Sequence, residues 1–426
     1  MRDGVIKQAG NSRLIKGQLP ATYAEFVAKV AEGTQGLDLL FNADGWSQLP
    51  TFLNKSALLQ DSTEVFLFGS AADRTVDDAF AGIAGQLKLI MSNTASITLT
   101  VQDTNGKPIP EVLVQGILNE SGQAVYTNAS GVATGYIGEG AQVIKVSGYA
   151  DLVDYSETVT VVKGTNITKT WKLTTRDFLK VTSSRSLKFS GNVKTVDFTL
   201  GAPGSGAGGN ISPEYDDSTE EIATGGAGAG GNVKEVIAKD VSPNVSYPAV
   251  IGAGGKSGES KTYYLSLRKS VYAEDGSAGG TTSFMGESIS GPSGGKGAYW
   301  IYPSQGCFAG DGAQGNGNGA NGVKTDRGTS VNGQNGEAGT QKMYKSLTET
   351  EAYGGGGSSG PIGGNPGAGG APGGGNSGRP YSGQTSGSNG TANKGGGAGG
   401  GAGGEAIGGR GGSGAIAIRM HLKSAA

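Results

Sequence analysis

About three-quarters of the chain's 82 glycines lie between Gly201 and Gly414, and this block constrains the fold more than any other feature. The glycines come in bursts: Gly206-Ala207-Gly208-Gly209, Gly354 to Gly357, Gly373 to Gly375 and Gly395 to Gly404. Segments of a different character separate them, among them Lys261-Thr-Tyr-Tyr-Leu-Ser-Leu-Arg268 and Ala298-Tyr-Trp-Ile-Tyr302. Glycine loses more backbone freedom on folding than any other residue. A block of this composition therefore folds only if something other than a side-chain core compensates.

A flexible linker is one reading of such composition, and a collagen helix is another. Collagen fails because the strict Gly-X-Y period with abundant proline is absent. A linker fits poorly, since serine is not glycine's main companion and bulky apolar residues recur between bursts. Strand-like sequence also brackets the block. Val193-Lys-Thr-Val-Asp-Phe-Thr-Leu200 enters it and Ala415-Ile-Ala-Ile-Arg-Met-His-Leu422 leaves it, both alternating with the period 2 of a half-buried strand. A folded block is therefore expected. In the polyproline II conformation a chain makes three residues per turn without internal hydrogen bonds, yet buried N–H and C=O groups must be paired. Glycine runs side by side can bond laterally, helped by Cα–H···O contacts. Such a block has a core of backbone, with the segments between runs projecting as loops.

The ordered series Val193 to Gly201, Val233-Lys-Glu-Val-Ile237, Val250-Ile-Gly-Ala-Gly-Gly255, Gly279-Gly-Thr-Thr-Ser-Phe284, Gly390-Thr-Ala-Asn-Lys-Gly-Gly-Gly397 and Gly411-Gly-Ser-Gly-Ala-Ile-Ala-Ile-Arg419 resembles a glycine-rich domain of phage and prophage tail fibres, common in phages and phage-tail-like bacteriocins of Gram-positive hosts. The resemblance covers about residues 190–422. It implies an architecture similar to polyglycine II sandwich adhesins, whose variable tip loops bind the receptor, and to the glycine-rich domain of certain receptor tyrosine kinase ectodomains. Gly45-Trp-Ser-Gln-Leu-Pro-Thr-Phe-Leu-Asn-Lys-Ser-Ala-Leu-Leu59 separately resembles the particle-proximal part of the same fibres.

Residues 1–92 read as mainly helical. Thr22-Tyr-Ala-Glu25 is a capping-box pattern, Pro50 to Leu59 suggests a second short helix, and Thr75 with Asp77 and Asp78 opens a third. In that third element Val76, Phe80, Ile83, Leu87 and Ile90 recur at spacings of four and three, an a/d seam suited to self-association or to packing within its own domain. Residues 93–174 read as a small β-domain. Ser96–Val101, Val112–Leu118, Gln142–Tyr149, Glu157–Val161 and Ile167–Leu173 are short alternating segments separated by turns. It resembles the carboxypeptidase-regulatory-like, immunoglobulin-like spacer modules of surface and tail proteins. The expected fold class is thus multidomain: a small α-helical attachment and oligomerisation region over 1–92, an immunoglobulin-like β-sandwich over 93–174, and a glycine-rich polyglycine II bundle framed by β-strands over 175–426.

Net charge is −2 and pI about 5.7, so no field favours nucleic acid or an anionic membrane. No apolar stretch approaches a membrane span, and Met1-Arg-Asp-Gly leads into nothing like a signal peptide's apolar core. His421 is the sole histidine and Cys307 the sole cysteine, which leaves no Ser/His triad and no His/Cys metal site. No cofactor or metal is expected. Val250 to Ser257 evokes a phosphate loop, but Val250 stands where the first glycine belongs. Glu214-Tyr-Asp-Asp-Ser-Thr-Glu-Glu221 suits a solvated acidic loop better than a calcium site. The chain is not expected to be an enzyme.

The candidate functional residues are the aromatics between bursts: Tyr263, Tyr264, Tyr272, Tyr299, Trp300, Tyr302, Phe308, Tyr344 and Tyr353, with Tyr381 beside them. Aromatics among adaptable polar neighbours give recognition surfaces area at low entropic cost; the competing role is to fill small cores beneath the loops. The combined expectation is a receptor-binding tail fibre, a homotrimer joined through residues 1–92 to the baseplate or tail of a particle. Its partner would be a bacterial surface receptor: a wall glycan, a teichoic acid or an S-layer protein. Such a protein is made in the bacterial cytoplasm and released by lysis. A glycine-rich coat or ice-binding protein is the alternative, although no regular threonine or alanine face favours it. Trp300→Ala is expected to weaken attachment by about 2 kcal/mol with the fold intact.

Overall fold

The computed structural model describes residues 94–214, 221–303, 306–326, 329–379, 386–403 and 406–423. Contacts divide the chain into two units: residues 1–95 with the short pieces 138–140 and 161–165, and everything else. The described residues belong almost wholly to the second unit.

The first part of that unit is a seven-stranded sheet. In spatial order run Tyr155–Val161, Gly140–Val146, Leu113–Leu118, Val132–Gly138, Thr94–Asp103 and Asn166–Leu173, with Ala124–Tyr126 also paired to Leu113–Leu118. Alternation drives it. Ile97, Leu99 and Val101 are fully buried while the residues between them face outward, the pleat's period of two. Thr94–Asp103 and Asn166–Leu173 pair in parallel, setting Val101 opposite Trp171. Trp171 is buried, and its indole N–H donates to Glu157 Oε2 at 2.7 Å, which satisfies the polar atom of an otherwise apolar ring.

A hydrogen-bonded seam joins this sheet to the glycine-rich part of the unit. The Asp151 carboxylate accepts from the Ser190 N–H (3.0 Å) and the Ser190 hydroxyl (2.5 Å), while its own carbonyl accepts from the Arg176 N–H. Gly191 N–H donates to Pro110 C=O, and the Asn244 amide donates to Glu111 C=O. Burial pushes the Asp151 carboxyl above its ordinary value, and the Ser190 hydrogen bonds oppose the shift without cancelling it. The folded chain thus holds this proton more tightly than the unfolded chain. Stability from this group is greatest below the unfolded pKa of 3.8 and is lost as pH rises through the raised folded value. Asp151→Asn keeps an acceptor for the Ser190 N–H and removes the charge. Its melting temperature relative to wild type is expected to improve as pH rises above about 4 and to level off once the raised folded pKa is passed; a difference independent of pH from about 4 upward would contradict the assignment.

Two four-stranded sheets carry the second part. The first runs Val233–Asp240, Val193–Gly201, Ala415–Leu422, Phe178–Val181, and the second Glu287–Ser290, Thr281–Phe284, Tyr247–Val250, Arg185–Leu187. Val193–Gly201 and Ala415–Leu422 pair antiparallel from Thr195 opposite His421 to Gly201 opposite Ala415. Between the two sheets lies an apolar core of Leu187, Phe189, Val196, Phe198, Leu200, Phe284, Ile416, Ile418 and Met420. Phe198 meets Phe284 edge-on at 5.1 Å, the geometry favoured by the ring quadrupole. The closing strand is buried on both faces. Ile416 and Ile418 fill this core, and the small Ala415 and Ala417 admit Met343, Tyr344 and Tyr353 on the other side.

From this frame the glycine segments run out and back, cross-linked laterally with a step of three residues. Ala202, Ser205 and Gly208 donate in turn to Asn232, Ala229 and Gly226, an antiparallel pair. Gly333, Gly336 and Gly339 donate to Asn365, Ala368 and Ala371, a parallel one. Thr224, Ala227 and Gly230 reach Val323, Ala320 and Gly317. A three-residue step is the repeat of a chain with three residues per turn, so successive donors point to different neighbours. The segments pack closely enough to exclude side chains: a Cβ on Gly230 would lie 1.8 Å from the Gly354 carbonyl oxygen.

The expected fold class is overturned here. Among the described residues every regular element is a β-strand except the 3₁₀ turn Leu265–Leu267, and there is no α-helix, so the fold is β-rich and multi-sheet. The segments expected to project as loops are themselves short strands. Lys261–Tyr263 pairs with Ile211–Pro213, Val271–Tyr272 with Tyr299–Ile301, and Lys342–Tyr344 with Thr350–Ala352. Their Thr, Tyr and Val content suits a pleated surface, and the glycine segments at either end bring them into pairing distance. The helical reading of residues 1–92, with the seam Val76, Phe80, Ile83, Leu87 and Ile90, lies outside the described residues.

Candidate functional site

Two small sheets stand at one margin of the glycine segments. One orders Lys261–Tyr263, Ile211–Pro213, Glu221–Ala223 and Lys324–Asp326, and the other Val271–Tyr272, Tyr299–Ile301 and Gly306–Phe308. Alternation splits the aromatic run Tyr299-Trp300 between the faces of the second sheet. Trp300 and Cys307 point inward and join Ile211, Ala223, Tyr263 and Ala298 in a buried cluster. There Tyr263 and Trp300 stack at 4.9 Å with an interplanar angle of 8°. The Tyr263 hydroxyl donates to Glu221 C=O at 2.9 Å, and Glu221 Oε2 accepts from the Cys307 N–H.

On the outer face, cross-strand register places Tyr272 opposite Tyr299 and Tyr299 opposite Phe308. The three rings form a ladder, with centroids 5.8 Å and 4.9 Å apart and interplanar angles of 22° and 10°. Lys324 Nζ sits 5.7 Å from the Phe308 centroid, within cation–π range, and 3.5 Å from Glu221 Oε1. Tyr272 is 63% exposed and Phe308 38%, with Tyr299 half-buried between them. Tyr302 and Tyr264 are exposed nearby in sequence; the Tyr302 N–H is held by the Ser270 hydroxyl at 3.1 Å, and the Tyr264 carbonyl accepts from Leu267 N–H in the 3₁₀ turn.

The structure thus divides the candidate residues. Tyr272, Tyr299 and Phe308 come together, Tyr264 and Tyr302 are exposed, and four others are buried: Tyr263, Trp300, Tyr344 and Tyr353. Burial corrects their expected role as contact residues. Trp300, 1% exposed and stacked on Tyr263, presents no surface to an outside partner, so Trp300→Ala acts on the fold rather than on a contact. Tyr344 and Tyr353 lie in a separate core with Met343, Ala415 and Ala417. There the Tyr344 hydroxyl donates to Glu235 Oε1 and the Arg419 guanidinium covers its ring at 3.6 Å. Tyr381 lies outside the described residues. Sequence reasoning missed Lys324, which no aromatic cluster accompanies in the chain. The alternation of Tyr299, Trp300 and Ile301 was the available signal that adjacent aromatics face opposite ways.

Among the described residues, no three His, Cys, Asp or Glu side chains gather so as to hold a metal ion, and no helix is long and apolar enough to cross a membrane. The exposed face of the site offers aromatic area and hydroxyl groups.

No curated protein sequence matches the chain. Among solved structures, the Bacillus anthracis TIE protein matches at 12% identity with a TM-score of 0.17, covering 55% of this chain and 48% of that one, about half its length. A likeness that weak carries no argument about fold or function. The sequence profile of the glycine-rich domain matches residues 181–421, from the strand Phe178–Val181 to the closing strand, which is more than half of the chain. The chain belongs to the glycine-rich domain family.

Proposed function

We propose that the chain is a receptor-binding tail fibre of a phage or phage-tail-like particle, attaching the particle to a bacterial surface. The observation that carries the reading is the exposed ladder Tyr272–Tyr299–Phe308, held on short strands that run at Ala273, Ala298 and Gly310 into backbone-bonded glycine segments. Binding residues displayed on a rigid scaffold lose little entropy on contact. Membership of the glycine-rich domain family and the resemblance of residues 45–59 to particle-proximal fibre segments support the same reading. In this proposal residues 1–92 join three copies and dock them on the baseplate or tail, and the glycine-rich region meets a surface glycan, teichoic acid or S-layer protein. The protein acts at the tail tip and leaves the producing cell by lysis.

The purified intact chain, fluorescently labelled, is expected to decorate cells of some Gram-positive strains and not others. Light scattering is expected to give three times the 42.5 kDa chain mass, falling to one after deletion of residues 1–92. Uniform absence of decoration across a broad strain panel would refute the adhesin reading. A monomer mass for the intact chain would refute the assembly.

A further inference from the structure

Resting on the adhesin reading, we propose that the Tyr272–Tyr299–Phe308 face is a carbohydrate site that takes a neutral surface oligosaccharide. The sheet Val271–Tyr272, Tyr299–Ile301, Gly306–Phe308 is buried on one face only. Trp300, Cys307 and Val271 pack inward against Tyr263 and Ile211, so the sheet needs nothing from its outer face to fold. That face nevertheless carries three aromatic rings in register, an unfavourable surface to leave in water. Tyr272 lies on an edge strand; one side of its ring meets Tyr299, and among the described residues no ring covers the other.

Three properties of the face select the occupant. The first is size. At about 200 Å² per aromatic side chain, the exposures of Tyr272 and Phe308 leave roughly 200 Å² open, with a smaller share from the half-buried Tyr299. A stable protein–protein contact needs about 800 Å² per partner, so the face is too small for a protein surface and suits a few sugar rings. The second is polarity. Aromatic faces are electronegative and attract positively polarised C–H edges, which a pyranose presents on its apolar side. The Tyr272 and Tyr299 hydroxyls have no hydrogen-bond partner among the described residues, and each can both donate to and accept from a sugar hydroxyl. The third is charge. Lys324, the cation over the Phe308 ring, is already paired with Glu221 at 3.5 Å, so it offers an anionic polymer no uncompensated charge. A neutral, polyhydroxylated ligand matches all three.

Calorimetric titration of the intact chain with neutral tetrasaccharides of N-acetylglucosamine, glucose and galactose, and with poly(glycerol phosphate), tests the proposal. At least one neutral tetrasaccharide is expected to bind with a Kd of about 1 mM or tighter. Tyr272→Ala and Phe308→Ala are each expected to weaken that binding at least tenfold with circular dichroism unchanged. Tyr272→Phe, which keeps the ring, is expected to lose less than Tyr272→Ala and guards against a folding artefact. Binding of none of the neutral sugars, binding of poly(glycerol phosphate) alone, or sugar binding indifferent to Tyr272 and Phe308 would each overturn the site. Cell decoration separates this from the adhesin reading. Decoration that survives Tyr272→Ala with Phe308→Ala sinks the carbohydrate site and leaves the adhesin. Sugar binding through the ladder with no strain decorated sinks the adhesin and leaves the site.

Discussion

Replacing Gly397 by valine is expected to prevent the glycine-rich region from folding, while Gly403→Ala leaves it intact. The difference lies in what a side chain would meet. A Cβ on Gly397 falls 2.1 Å from the Gly228 carbonyl oxygen and 2.6 Å from its carbon, whereas one on Gly403 finds its nearest neighbours, Ile362 side-chain atoms, at 3.8 Å. In an ordinary core, overpacking costs about 1–3 kcal/mol because neighbouring side chains shift. Around Gly397 the neighbours are backbone, each fixed by its own hydrogen bonds. Gly397 N–H donates to Gly355 C=O, its carbonyl accepts from Gly375 N–H, and Ala398 C=O accepts from Gly228 N–H. Displacing Gly228 breaks the lateral bonds of three segments at once, and each buried group left unpaired costs about 1–3 kcal/mol. Gly397→Val should therefore exceed about 3 kcal/mol, beyond the penalty that rotamer adjustment relieves. Thermal melts followed by circular dichroism check it. A melting temperature for Gly397→Val within a few degrees of wild type would show that the segments are not packed through their backbones.

How much of this was legible in the sequence depends on element length. Val193–Gly201 and Ala415–Leu422 each hold enough alternating positions to declare a strand, and they do so with Val196, Phe198 and Leu200 against Ile416, Ile418 and Met420. That these two strands pair is a separate fact, since they are some two hundred residues apart and alternation is silent about partners. Two- and three-residue strands such as Val271–Tyr272 and Gly306–Phe308 show no period at all, which is why they read as loops. The glycine bursts announce close backbone approach but not which neighbour approaches. The candidate site was legible as a cluster of aromatics and illegible as a face. Tyr299 and Trp300 are adjacent in the chain and lie on opposite sides of one strand, one in the ladder and one under it. Lys324, arriving from a strand of the neighbouring sheet, had no signal of its own.

Tyr353→Ala is the second large effect expected, about 3–5 kcal/mol of stability, or very roughly 6–20 °C at the 2–4 °C per kcal/mol typical of domains of about this size. Its ring is 1% exposed and plugs the point where the glycine segments leave the central sheet. A Cβ on Gly201 would strike Tyr353 Cζ at 2.4 Å, and one on Gly395, whose φ of +58° already favours glycine, would strike Cε1 at 2.4 Å. Both glycines thus leave room for one ring. The Tyr353 hydroxyl donates to Ala202 C=O at 2.9 Å, pairing a carbonyl in a region with no access to water. Tyr353→Phe strands that carbonyl and is expected to cost about 1–3 kcal/mol, so ring and hydroxyl can be separated. The fit also predicts coupling. Gly201→Ala alone should destabilise strongly. In the Tyr353→Ala background the new methyl enters the vacated space, and of its three nearest neighbours only the flexible Met343 sulfur at 2.7 Å remains. The double variant should then be more stable than the sum of the single losses predicts, by about 0.5–3 kcal/mol. Strict additivity of the two substitutions in denaturant melts would mean that Gly201 is not glycine on account of Tyr353.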